Sequence, residues 1–254
     1  MLKIGLIREG KIPQDNRVAL IPDHCKWVHS NMQDIKVFIQ HSETRSYSDR
    51  EYQLAGVEVM EDISECDLLL GIKEVPIENL VPGKNYMFFS HTKKLQRYNQ
   101  KLIQAIAKEK ITLIDYECLE HDDGTRIIGF GFFAGIVGAH NGLMAYGQRT
   151  GAFHLDRVGA SRTFQQLVNT YFGLKIPPIK ITVTGSGRVA HGLLEIMNLI
   201  GIHEVEPDEY LDKKFSYPVY VHLKGADLYR SKKDGSYNRN DFHLNPTDYL
   251  CIYD

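Results

Sequence analysis

Short apolar runs alternate with helix-patterned segments through the first 115 residues, and a further strand at 180–184 runs into a Gly-x-Gly-x-x-Ala turn and an amphipathic segment. These two observations predict an α/β protein. They also predict its plan: two Rossmann-like domains with parallel sheets, the second, dinucleotide-binding one incomplete. The expected divisions are a first domain over 1–150, a connecting segment over 151–178 and a partial nucleotide domain over 179–254.

The elements follow in order. Residues 3–7 form an apolar strand, and the polar stretch 8–17, with Pro13 inside it, is a loop. Pro22-Asp23 opens a helix through Val28. Residues 35–39 are β-rich. Ser48 and Glu51 have the spacing of a capping box, and Gly56 ends the helix it starts. Strands are expected at 57–60, 68–72 and 85–90, the last running up to His91. Residues 96–110 have helical spacing (Tyr98, Leu102, Ile103, Ile106), and a strand follows at 111–115.

Residues 130–146 carry Gly131, Gly135, Gly138 and Gly142 at steps of four, three and four. On a helix this is a stripe without side chains, suited to tight helix packing or to a helix lying under a cofactor or across a domain boundary. Ile176-Pro177-Pro178 then stops any regular element.

Composition narrows the class. Thirty basic and 32 acidic residues give a net charge of -2, which removes the electrostatic case for a nucleic-acid partner. Cys25, Cys66, Cys118 and Cys251 are far apart, with neither a disulfide framework nor metal-ligand spacing, so no metal is expected. The apolar N-terminal run is broken by Arg8-Glu9, and the most apolar window is interrupted by His140 and Asn141. The expectation is a cytoplasmic protein without a membrane span, its oligomeric state left open.

In the turn Gly185-Ser186-Gly187-Arg188-Val189-Ala190, Gly185 allows the tight bend, Gly187 admits a pyrophosphate and Ala190 keeps helix close to strand. The helix after it has Val189, Leu193, Ile196 and Ile200 on one face. An acidic residue about 20 positions on would hold the ribose hydroxyls. Glu204, Glu206 and Asp208 lie near that spacing, Glu206 being the choice, which favours NAD with NADP possible.

Three groups of motifs carry a family resemblance. Ile4-Gly5-Leu6-Ile7-Arg8-Glu9 with Asn16-Arg17-Val18-Ala19-Leu20-Ile21-Pro22 resembles the opening of the alanine dehydrogenase/transhydrogenase N-terminal family. Gly71-Ile72-Lys73-Glu74-Val75-Pro76 and Phe89-Ser90-His91-Thr92-Lys93 resemble its lysine and histidine motifs. Asp115-Tyr116-Glu117-Cys118-Leu119, Asp123-Gly124-Thr125-Arg126 and Phe130-Gly131-Phe132-Phe133-Ala134-Gly135 resemble the branch of saccharopine dehydrogenase (lysine-forming) and lysine–2-oxoglutarate reductase.

The resemblance implies an NAD(P)-dependent oxidoreductase acting on a small amino acid and 2-oxo acid, with imine formation or hydrolysis coupled to hydride transfer. Alanine dehydrogenase-like deamination and a non-catalytic ligand-binding module are the alternatives. It implies that Lys73 and His91 are the acid–base pair, that Glu74 and Glu117 tune it, and that Arg17 binds a substrate carboxylate. Arg8-Glu9 is secondary. Residues 180–254 leave little room for two mononucleotide halves at about 30 residues or more per βαβ unit. The chain therefore reads as an N-terminal portion or a shortened member.

Overall fold

A computed structural model of the chain describes residues 1–253, which divide into two compact units, Met1–Gly129 and a second beginning at Phe130. In the first, strands β1 (Leu2–Leu6), β2 (Ile35–Gln40), β3 (Glu58–Met60), β4 (Leu68–Leu70), β5 (Asn85–Phe88) and β6 (Thr112–Asp115) alternate with helices α1 (Pro22–Asn31), α2 (Asp49–Leu54) and α3 (Gln100–Lys108). All six strands are parallel, in the order β3-β2-β1-β4-β5-β6. That is the doubly wound order, in which the chain reverses its direction of travel between β1 and β4.

The strand pattern explains the layering. Successive side chains of β2 point to opposite faces. Val37 and Ile39 pack with Cys25 of α1 and Tyr52 of α2. Phe38 joins Leu69, Tyr86, Phe88, Leu102 and Ile106 on the other side. Both faces are covered, as a parallel sheet requires. The Ser48–Glu51 capping box forms as expected at the start of α2.

The segment before α3 departs from the expected single helix. Leu95 takes a left-handed conformation (φ 52°), and single 3₁₀ turns cover Thr92–Lys94 and Arg97–Asn99, so the α-helix begins only at Gln100. Within the expected span it is Gln96, extended at φ −70° and ψ 130°, that keeps the helical ladder from starting there.

In the second unit come α4 (Gly131–Thr150), α5 (Phe164–Asn169), β7 (Lys180–Thr184), α6 (Arg188–Ile200), β8 (His203–Glu204), α7 (Pro207–Asp212) and β9 (Val219–Leu223). They are followed by α8 (Gly225–Leu228), β10 (Tyr229–Ser231), α9 (Arg239–Leu244) and β11 (Tyr249–Cys251). The units divide ahead of α4, whereas the sequence placed the end of the first domain after it. The reason lies in the packing of α4 on α6.

A Cβ on Gly135 would sit 1.9 Å from the Val189 carbonyl oxygen, and one on Gly192 would sit 1.9 Å from that of Phe132. The two backbones touch where neither helix carries a side chain. Around this contact Ile136, Leu143, Val183, Ile196 and Met197 form the core of the unit. Of the glycine stripe, Gly138 and Gly142 face open space.

The sheet of this unit is parallel in the order β7-β9-β8, and β10 and β11 form a separate antiparallel ribbon. Among the described residues no helix is long and apolar enough to cross a membrane.

Candidate active site

In an open parallel sheet, ligands bind beyond the carboxyl ends of the strands where the order reverses. In the first unit that place lies beyond β1 and β4. The segments leaving β1, β4, β5 and β6 carry Arg17, Lys73 with Glu74, His91 and Glu117, so all five sequence-predicted residues emerge on the same edge of one sheet.

Glu9 ties two of these segments together. Its Oε1 accepts from the Ile72 amide at 2.6 Å and its Oε2 from the Lys73 amide at 3.0 Å. The chain can pass this close because residue 71 is glycine: a Cβ there would lie 2.5 Å from Ile7 Cδ1 and 3.4 Å from Glu9 Oε1. Burial pushes the Glu9 carboxyl above its ordinary value despite the two amides that favour its charge. The backbone of Lys73 is thus fixed by a carboxylate from another strand exit. Its Nζ has no hydrogen bond or ion pair among the described residues.

Glu74 is buried and serves two side chains. Oε2 accepts from Lys11 Nζ at 2.5 Å, and Oε1 lies 2.6 Å from His91 Nδ1. Burial raises its carboxyl, but the bonds to Lys11 and His91 outweigh this and hold it below its ordinary value. With Nδ1 committed to Glu74, the His91 ring is fixed in orientation and Nε2 is left for other chemistry.

His91 is also left-handed (φ 55°), a conformation that costs about 1–3 kcal/mol and clusters at functional sites. Phe89 stacks on its ring with centroids 6.4 Å apart and planes 19° apart. Behind it, Ser90 Oγ bonds Asp115 Oδ2 and lies 2.7 Å from Thr92 Oγ1, which joins the β5 exit to the end of β6.

Arg17 lies in the loop after β1. Its Nε donates to Asp15 Oδ1 at 2.8 Å and its Nη2 to Asp15 Oδ2. This two-point contact lowers the Asp15 carboxyl and raises the Arg17 guanidinium. The guanidinium of Arg17 is thus engaged by a carboxylate of the chain itself.

Glu117 is buried and takes Arg126 Nη1 at 3.1 Å and Lys94 Nζ at 3.0 Å on one oxygen, Oε1. Its other oxygen is buried without a partner. No bond joins it to Lys73 or His91, so of the two expected tuners only Glu74 touches the pair.

Sequence reasoning missed Lys11, Asp15 and Arg126 as members of this constellation. Lys11 and Asp15 lie in the loop leaving β1, the place the strand order marks out; Arg126 reaches Glu117 through a loop contact that no spacing shows.

The Gly-x-Gly-x-x-Ala loop of the second unit has the expected local form. Gly185 is left-handed (φ 91°), Gly187 is the residue before α6, and the space where its side chain would lie is open. Ala190 is buried against the core, while Ser186 and Arg188 are exposed. Val189 is also exposed (55%), not on the packed face expected for it, because its backbone is what meets Gly135.

Two contacts brace the loop from β9: the Gly185 amide donates to Leu223 O at 2.9 Å, and the His222 ring lies 2.6 Å from Gly185 O through Nε2. Such a loop fits a pyrophosphate, with amides at the start of α6 as donors. Glu206 stands at the N-cap of α7, just after β8, the next strand in the chain. In the sheet β9 lies between β8 and β7.

The family model for the alanine dehydrogenase/PNT N-terminal domain matches residues 5–137, just over half of the chain. Alpha-aminoadipic semialdehyde synthase, mitochondrial, of Bos taurus is 38% identical over 273 aligned residues, spanning 98% of this chain and 29% of that protein. The saccharopine dehydrogenase [NAD(+), L-lysine-forming] of Yarrowia lipolytica is 28% identical over 80% of this chain and 58% of its own length. The chain thus spans less than a third of the first relative and under two thirds of the second. A solved L-alanine dehydrogenase superposes with a TM-score of 0.59 at 16% identity, covering 89% of this chain and 62% of the other, which shows a shared fold. With that fold and these sequence matches, the chain belongs to the alanine dehydrogenase/PNT N-terminal domain family.

Proposed function

We propose that this chain supplies the substrate site and the nucleotide loop of an NAD(P)-dependent amino-acid dehydrogenase of the saccharopine dehydrogenase (lysine-forming) / lysine–2-oxoglutarate reductase type. The observation that carries the reading is the 2.6 Å contact of Glu74 with His91, set beside Lys73 at the reversal point of the sheet. Joining an amine to a 2-oxo acid requires a proton to leave the amine and a proton to reach the departing hydroxyl. His91, oriented by Glu74, and Lys73, braced by Glu9, are two groups able to exchange those protons.

Arg17 binds a substrate carboxylate in place of Asp15, and Glu117 sets the charge balance from its buried pocket with Arg126 and Lys94. The nicotinamide, when bound, gives or takes the hydride. Gly185, Ser186, Gly187, Arg188, Val189 and Ala190 hold its pyrophosphate, and Glu206 is the acidic residue assigned to the ribose. The relatives named for lysine-forming saccharopine dehydrogenase and aminoadipic semialdehyde synthase support this chemistry over the alanine dehydrogenase type.

The test is oxidation of NADH and of NADPH by the 254-residue chain with lysine plus 2-oxoglutarate, and separately with ammonia plus pyruvate. The expected result is turnover with the first pair that falls at least about 100-fold in Lys73→Met and in His91→Gln. A folded chain that turns over neither pair, or unchanged turnover in both variants, overturns the reading.

A further inference from the structure

Tyr116 follows β6 directly, on the same sheet edge as His91 and Lys73. It is 6% exposed, and its ring packs edge-on against Phe89, with centroids 5.0 Å apart. Phe89 in turn stacks on His91, so one aromatic row runs from the imidazole to the phenol. A buried tyrosine hydroxyl ordinarily has a hydrogen-bond partner. The other deeply buried tyrosines mostly follow that rule: Tyr52 donates to Leu20 O, Tyr86 accepts from the Val81 amide, and Tyr171 meets His140.

Tyr116 is the exception among these. Its hydroxyl has no hydrogen bond among the described residues, yet it is not sealed from solvent as Asn99 Nδ2 and Glu117 Oε2 are. Burial and the nearby Glu9 carboxylate push its ionisation up to about 12, so it stays protonated at any working pH. The phenol is thus a fixed neutral donor with nothing among the described residues to donate to.

We propose that Tyr116 is a substrate-positioning residue, its hydroxyl donating a hydrogen bond to an acceptor oxygen of a small 2-oxo acid held beyond the ends of β4, β5 and β6. This rests on the functional reading above. A site built to donate to an oxygen discriminates sharply against ligands that lack it.

The experiment is calorimetric titration of the 254-residue chain with 2-oxoglutarate and with glutarate, for the wild type, Tyr116→Phe and Tyr116→Leu, with melting temperatures recorded alongside. The phenylalanine variant keeps the packing on Phe89 and is expected to melt as the wild type does while binding 2-oxoglutarate about 10-fold more weakly. Loss for 2-oxoglutarate alone places the acceptor at the 2-oxo oxygen. Equal loss for glutarate places it on a carboxylate, and both support the proposal. Wild-type affinity in Tyr116→Phe overturns it, and weakening confined to Tyr116→Leu overturns it as well by assigning the residue to packing. Failure of the wild type to bind 2-oxoglutarate, with a normal melt, overturns the functional reading and this inference together.

Discussion

One carboxylate, Glu74, is shared by an ammonium and an imidazole on different loops, and its protonation is therefore coupled to folding. Its carboxyl lies below the ordinary value in the folded chain, so its contribution is full above the unfolded carboxylate range and is lost as pH falls through the lower folded value. Glu74→Gln should lower the urea midpoint at pH 7, and the gap from wild type should close as the pH is taken well below about 4. A gap constant with pH would show that the carboxylate charge is not what matters.

A second residue-scale prediction concerns Leu95, 89% exposed and left-handed. Leu95→Gly removes the steric cost and should stabilise the chain by about 0.5–1 kcal/mol in denaturant titrations. At this scale the motifs singled out Lys73, His91 and Arg17, which lie on the segments leaving β4, β5 and β1 on one edge of the sheet. The sequence was not legible for Tyr116, because a tyrosine without a partner looks like any other core tyrosine until the hydrogen bonds are counted.

Between α4 and α6 the interface depends on two glycines far apart in sequence. Gly135→Ala sets a methyl group against the Val189 carbonyl and should cost at least about 1–3 kcal/mol. Gly142→Ala, on the same helix but facing open space, should be neutral or stabilising by up to about 1 kcal/mol. Thermal melts of the two variants make the comparison, and equal effects would contradict the packing described.

The four-residue stripe in the sequence was a correct sign of close helix approach. It could not say which of its members made the contact, because that depends on the register of α6, more than 50 positions away. The expected start of the helix at 96 failed because Gln96 is extended and a 3₁₀ turn occupies Arg97–Asn99, neither of which the apolar spacing reveals.

Across the whole molecule, the division ahead of Phe130 predicts that residues 1–129 made alone will fold, since six paired strands and both of their covering layers lie within them. The check is a cooperative melt by circular dichroism. Trp27, the single tryptophan, lies in this segment, so its fluorescence should report the same midpoint. The fold class and the presence of two parallel sheets could be read from alternation and from the glycine loop. The strand order of the second sheet could not, because β8 is two residues long and carries no register information in its sequence.

That order has a consequence for how the protein is made. In the second sheet β7 and β8 are never neighbours; each pairs only with β9. During synthesis no pair of strands can form there until Val219–Leu223 has left the ribosome, so β7 and β8 both wait, their amides unsatisfied, for the third strand to slot between them. The first sheet is under no such delay, because β1 and β2 are adjacent and pair as soon as the second of them emerges.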